Sequence, residues 1–405
     1  MATERNPAEL AAFLAAPEWS SRGAILANVA AHVVAAGPAA IYRLIVPAIM
    51  ARYGVSAVEV GYMFSLSAIC TGVCAILVGI NARRMNFRQV CTAATAIHVL
   101  GALVSLFAPT FTVLLVGRAL SACSDGVLIC AANAALARSS KPTRNWTWCA
   151  VAVGLTGAIG NAVVGRLIPL HGLEAAFLIV AVLGLVVLPT QLLIPGLRPP
   201  PGVAMPVTVR EAPFRAIAHA LSGRTGLLLM AMIVLFTTGS GMLNPFDAVI
   251  GTSVGLTIPQ IGDIRGTAFA VATAALFFGL WLGDRVGRAW PFLLTGMLVA
   301  LSDGAVGTAI SATVFAVAII AGDAAHRLNG PYYASVVARH DPSGSLNGAA
   351  IAFINVGLAI GPVIGGHLRD ATGSYAVVGI CAMTLGLAGF GMMALMAFRQ
   401  ERAGK

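Results

Sequence analysis

Apolar runs long enough to span a bilayer follow one another along this chain with almost nothing between them. A helix needs about twenty apolar residues to cross the hydrocarbon core. Scanned at that length, the 405 residues give twelve segments: 24–50, 57–80, 88–108, 111–136, 147–170, 173–195, 225–250, 260–282, 290–311, 313–337, 346–367 and 375–398. Most connections are very short; Pro109 and Thr110 alone join segments 3 and 4. One is long, residues 196–224, with three prolines at 199–201 and four arginines. Backbone in hydrocarbon must satisfy its own hydrogen bonds, which leaves helices as the solution for segments of this length. The expected fold class is therefore an all-α polytopic membrane protein with 12 transmembrane helices. The expected organisation is an N-terminal segment (1–23), a six-helix bundle (24–195), a linker (196–224), a second six-helix bundle (225–398) and a tail (399–405).

Composition excludes the soluble alternative. Apolar residues make up 58% of the chain and charged residues 10%, against about 25% charged in a soluble domain. The net charge of +10 would suit nucleic acid only if the cations were gathered in a patch, and they are not. With the N-terminus in the cytoplasm, eighteen Lys and Arg fall on inner segments, and only Arg52, Arg166, Arg265 and Arg369 on outer ones. That asymmetry is the positive-inside pattern. It places both termini in the cytoplasm of a bacterial-type inner (plasma) membrane and predicts no nucleic-acid partner. The sequon Asn145-Trp146-Thr147 then lies on the wrong side for glycosylation. The N-terminus mixes acids and bases with no short apolar core, so it does not read as a signal peptide. The seven cysteines are scattered without metal-ligand spacing and read as reduced thiols. No metal and no cofactor are expected. The absence of GxxxxGK[ST] and HExxH motifs points away from an enzyme and from ATP as energy source.

The halves repeat. An offset of 201 residues aligns YGVSAVEVGYM (53–63) with VGLTIPQIGDI (254–264), and AIGNAVVGRL (158–167) with AIGPVIGGHL (359–368). LARSSKP (136–142) overlies VARHDP (337–342) with one gap. Several matches at one offset argue for two pseudo-symmetric bundles, and parallel repeats about the membrane normal build one large class of secondary transporters.

Motifs at these positions resemble the major facilitator superfamily over essentially the whole chain. GLAIGPVIGG (357–366) is similar to the family's gxxxGPxxGG element, and LGDRVGR (282–288) to its L-x-D-R-x-G-R gate loop. GRALSACSDGVL (117–128) matches the helix 4 signature through Arg118, with Ala122 where glycine is usual. The first-half gate loop, GINARRMNFRQ (79–89), departs from the pattern at Arg83 and Asn86, and Asn161 replaces the proline of the helix 5 element. The resemblance implies alternating access, with helices 1, 4, 7 and 10 lining a central cavity. It also implies gating by Asp284, Arg285 and Arg288 at the loop and by Gly357, Gly361, Pro362 and Gly365 on helix 11. Glycines four apart make a smooth stripe that lets another backbone approach, so plain packing explains those glycines equally well.

A charge at the bilayer centre costs roughly 2.5–3.5 kcal/mol on insertion scales. The candidates are His32, Arg43, His98, Arg118, Asp125, Asp247, Asp303, Asp323, His326 and Arg327, and eight of these ten fall on the four lining helices. A carboxylate in a partly dry cavity suits a proton carrier. Asp125 is the first choice, Asp323 the second, and His326, at the repeat position of Asp125, a relay. Arg43, Arg118 and Arg327 stay protonated and can grip an oxyanion in two places, which tilts the reading toward an organic anion. Neutralisation of neighbouring aspartates is the competing account of those arginines. Asp323 and Arg327, four apart, can pair, and Arg43 with Asp247 can form an interdomain pair that opens and closes. Tyr42, Asn133, Asn244, Asn329, Tyr332 and Tyr333, with Asn28, are polar candidates for substrate contact. His98 and Asp303 lie off the lining helices and are expected to make local structural bonds.

The expected function is secondary transport of a small organic solute, proton-coupled and leaning to an anion, by a monomer whose partners are substrate, protons and lipid. Two alternatives stand beside it: proton-coupled efflux of drugs or metabolites, and a transport-dead sensor or partner that keeps the fold.

Overall fold

The computed structural model describes residues 17–81, 85–196, 218, 221–282, 285, 287–340 and 345–403. Among these residues every regular element is helical. The first crossing, α1, runs as Arg22–Tyr42 and resumes as Val46–Tyr53. Then come α2 (Ala57–Asn81), α3 (Phe87–Leu106) and α4 (Phe111–Leu136). The arms of Pro142–Val187 on either side of Gly172 are α5 and α6. Crossing α7 is Arg224–Leu243, a 3-10 turn Asn244–Phe246 and Asp247–Ser253. The last five are α8 (Ile258–Leu282), α9 (Ala289–Gly307), α10 (Ala312–His340), α11 (Ser345–Thr372) and α12 (Tyr375–Ala403). Among the described residues ten runs are long and apolar enough to cross a membrane, and Pro142–Leu193 is a double crossing among them. The remaining crossing, α10, has 29 residues but carries Asp323, His326 and Arg327 in its middle. The fold is thus an all-α polytopic membrane protein, consistent with twelve crossings.

The repeat is written into the turns. Glycines with left-handed φ stand at 54 (64°) and 255 (86°), closing α1 and α7, and at 172 (67°) and 373 (70°), between α5 and α6 and between α11 and α12. Both pairs are 201 apart. Only glycine adopts this conformation without steric cost. A fifth, Gly287 (74°), has no counterpart: at the matching position Asn86 is extended and caps α3, accepting from the Gln89 N–H at 3.3 Å.

Contacts divide the chain into two compact units that do not follow its midpoint. One holds Met1–Ala39, Cys70–Thr156 and Phe177–Phe214; the other holds Ala40–Ile69, Gly157–Ala176 and Arg215–Lys405. In the first unit, Trp19 is buried on a short 3-10 turn before α1 and meets Phe87 edge-on at 5.9 Å. The Arg138 guanidinium lies over both rings, at 5.2 and 4.7 Å. Around them α1, α3, α4 and α6 share a core of small residues, among them Ala31, Ala94, Ala131 and Ala135. α4 also crosses α2 closely. Thr71 donates to the Ala122 carbonyl at 3.0 Å, and Gly126 sits on the Thr71 backbone.

The second unit has an apolar core between α7, α9, α10 and α12, centred on Phe236, Phe292 and Phe390. In lipid, packing must replace the hydrophobic effect between helices, and small residues let backbones approach. The glycine stripe of α11 does this against α7: Gly357, Gly361 and Gly365 face Thr237, Thr238, Gly241 and Met242. Two further crossings are related by the repeat. A methyl added at Gly262 of α8 would lie 2.6 Å from the Asn161 carbonyl oxygen and 3.1 Å from the Gly165 Cα of α5. At the corresponding positions, Gly61 of α2 faces the Pro362 carbonyl of α11, and a methyl at Gly366 would lie 2.6 Å from the Ala57 carbonyl.

Candidate functional site

Proline sets the site's position. Pro47 begins the second piece of α1 and Pro245 sits in the 3-10 turn of α7. A proline supplies no N–H to the helix and crowds the preceding turn. The breaks, at residues 43–45 and 244–246, fall at matching places in the two repeats. They present Arg43, Asn244 and Asp247 to a cavity of about 90 Å³ inside the second unit.

Among the described residues six ionisable side chains line that cavity: Arg43, Asp247, Arg265, Asp303, Asp323 and His326. Arg265 is the hub. Its Nη1 lies 3.1 Å from Asp247 Oδ2 and 3.5 Å from Asp323 Oδ2, and the residue is only 2% exposed. Arg43 Nη1 approaches the same Asp247 oxygen at 3.7 Å. Among the described residues Asp303 faces no cation within pairing distance; the Ser240 hydroxyl donates to its Oδ2 at 3.0 Å. Buried charges are tolerated when paired. Here three carboxyls meet two guanidiniums, leaving one carboxyl uncompensated.

The remaining sequence candidates divide by unit. In the first, His98 Nδ1 donates to Asp125 Oδ1 at 2.9 Å, with His98 fully buried. His32 meets Asn133 Oδ1 through Nε2 at 3.1 Å, Asn28 donates to the Ala24 carbonyl, and Arg118 is buried on α4. In the second, Tyr42 is buried next to Arg43 in sequence. The expected Asp323–Arg327 pair does not form. Asp323 turns to Arg265, and the Arg327 guanidinium lies 5.8 Å over the Phe269 ring, because a tertiary partner in reach outcompetes the i, i+4 one. Asn329 is also placed differently from expectation: it is buried away from the cavity and donates to the Phe292 carbonyl and to Thr295 Oγ1 at 3.1 and 2.8 Å. Tyr332 belongs to the apolar core, with Tyr333 packed against it, edge-on to Phe236 at 6.1 Å. These three are structural neighbours of the core and do not line the cavity.

Of the gate loop, Asp284 lies outside the described residues. Arg285 donates back to the Trp281 carbonyl at 2.7 Å and lies over that ring. The Arg288 and Ala289 N–H groups donate to Glu401 Oε1 at 2.7 and 3.0 Å, so Glu401 caps α9. Pro362 and the glycines of α11 sit in the crossings already described.

Sequence reasoning missed Arg265, which it counted with the outer cations although it lies within the segment 260–282, and discounted Asp303 and His98 as off the lining helices. Contrary to the four-helix expectation, α8 and α9 contribute to the cavity. The usable signal for Arg265 was its place inside α8, seven residues beyond the helix start at Ile258.

The family model of the Major Facilitator Superfamily matches residues 29–243, more than half of the chain. The chain belongs to the major facilitator superfamily. Among solved structures it is similar to a crystal structure of the nucleoside transporter NupG, determined as a point mutant. That similarity has a TM-score of 0.68 at 13% sequence identity and covers 94% of this chain and 100% of the other. No curated protein sequence matches. Superfamily membership makes the chain a multi-pass secondary transporter and not an enzyme.

Proposed function

We propose that this superfamily member is a proton-coupled carrier of a small organic solute, working by alternating access in a bacterial-type inner membrane. The observation that carries the reading is the charge count of the cavity: three carboxyls against two guanidiniums. A site with one carboxyl in excess can take one proton and become neutral without unpairing an arginine. Asp303, which among the described residues accepts from the Ser240 hydroxyl alone, is the carboxyl best placed to do so, with His326 on the lining of the same cavity as relay. The His98–Asp125 pair offers a second protonation site in the other unit. The two six-helix halves rock about the cavity, with both termini in the cytoplasm and the protein acting as a monomer. The glycine crossings of α2 with α11 and α5 with α8 are the seam that parts, and the Arg43–Asp247 contact lies next to it.

Two of the arginines read from sequence as substrate ligands are otherwise engaged, Arg43 near Asp247 and Arg327 over Phe269. Export of a drug or metabolite uses the same machinery in the opposite direction. A screen of metabolites by thermal shift, nucleosides included because of the NupG likeness, followed by uptake into proteoliposomes, tests the reading. The expected result is flux driven by a pH gradient in wild type and lost in Asp303→Asn. Flux that ignores the gradient ends the proton-coupled reading.

A further inference from the structure

Arg265 uses only one of its three nitrogens. Nη1 serves both Asp247 and Asp323. Nε and Nη2, with three N–H donors between them, are buried and meet no acceptor among the described residues. Buried donors left unmade are costly and call for an explanation. The Nε–Nη2 side is the edge of a guanidinium that pairs with a carboxylate through two parallel hydrogen bonds. The two aspartates pin the opposite corner, so the edge is held in place before anything arrives.

We propose that Arg265 is the cargo anchor, and that its free Nε–Nη2 edge binds the carboxylate of a small organic acid. The proposal rests on the carrier reading above and narrows its cargo. A cavity of about 90 Å³ has room for a small polar group. That fits a carboxylate head. Charge then dictates the coupling. The groups facing Arg265 are Asp247 from α7, Asp303 from α9, Asp323 and His326 from α10, and Arg43 from α1. With His326 neutral they and Arg265 sum to one negative charge, and an entering carboxylate would make two. A proton on Asp303 offsets the newcomer. Acid and proton therefore travel together, and affinity rises as pH falls.

The test uses the full chain in nanodiscs. Binding is measured by calorimetry against C2–C4 mono- and dicarboxylates, the matching amides and amines, and uridine. Carboxylates are expected to bind at least tenfold tighter than their amides in wild type, more tightly at pH 5.5 than at pH 7.5. Arg265→Lys keeps a cation for both aspartates but has no two-donor edge, and is expected to lose at least tenfold in carboxylate affinity. Amides binding as well as acids overturn the proposal, as does unchanged carboxylate affinity in Arg265→Lys. The wild-type comparison of acid with amide decides the matter even where the variant does not fold. If uridine or an amine instead drives gradient-dependent flux, the anchor assignment fails and the carrier reading stands.

Discussion

Arg166 on α5 and Asp263 on α8 grip each other through two parallel hydrogen bonds, of 2.6 and 3.1 Å. Their repeat-related positions, His367 on α11 and Tyr62 on α2, also meet, Tyr62 Oη standing 3.3 Å from His367 Nε2. One duplicated contact has become an ion pair in one copy and an aromatic pair in the other. Each lies within one residue of a glycine crossing, Gly165 with Gly262 and Gly366 with Gly61. Arg52 with Glu174, and the Val58 N–H with Asp370, add bonds at the same end of these helices.

Because the Arg166–Asp263 pair is half-exposed, it contributes modestly, about 0.2–1 kcal/mol. Asp263→Ala should shift the balance toward states in which this end is parted by up to about fivefold. Spin-label distances between positions 170 and 257 read the change. Exchanging the charges (Arg166→Asp with Asp263→Arg) should restore the wild-type distribution. No shift in the single variant would mean that the pair is not a latch.

Gly262→Val should have a larger and different effect. Its side chain has no space against the Asn161 carbonyl, so the crossing cannot close and the same distances should lengthen in most molecules. Gly255→Ala meets open space but must adopt φ 86°. It should cost about 1–2 kcal/mol of stability while leaving the distance distribution unchanged. Equal behaviour of the two variants would contradict the steric account.

Asp247 and Asp303 should part company when neutralised. Asp247→Asn withdraws the carboxylate nearest to both Arg43 and Arg265, and breaking a buried pair costs about 3–5 kcal/mol. Asp303→Asn still accepts from Ser240 and removes the surplus charge, so thermal unfolding should change little while gradient-driven flux disappears. A stable Asp247→Asn protein beside an unfolded Asp303→Asn protein would reverse the assignment.

In the other unit, His98 and Asp125 should act as one element. Asp125→Asn is expected to abolish pH-gradient-driven flux. A double-mutant cycle on unfolding with His98→Phe and Asp125→Asn should give a coupling of at least about 1 kcal/mol, as residues in direct contact do. Additive effects would show that the 2.9 Å contact carries no energy.

Helix number, the repeat and the family were legible because each rests on patterns summed over many residues. Single ionic partners were not. Arg265 stood close to a segment edge, where hydropathy has no resolution, and was counted with the outer cations. Asp323 has a suitable arginine four residues on, yet Arg265 of another helix takes it. Sequence spacing records local reach and says nothing of what a neighbouring helix brings. The Gly54–Gly255 turn pair was visible in the alignment. The Gly172–Gly373 pair was not used, because the α5–α6 boundary was drawn through a loop that is a single residue.

The seam between α5 and α8, and that between α2 and α11, is main chain against main chain. Such a joint cannot be tuned by degrees. Every replacement for glycine adds at least one carbon where none fits, so mutational drift along these faces meets a wall at its first step. Under the proposed carrier cycle, adaptation to new cargo is thereby channelled away from these joints and toward the lining of the chamber, where side chains can be exchanged while the backbone contacts stay as they are.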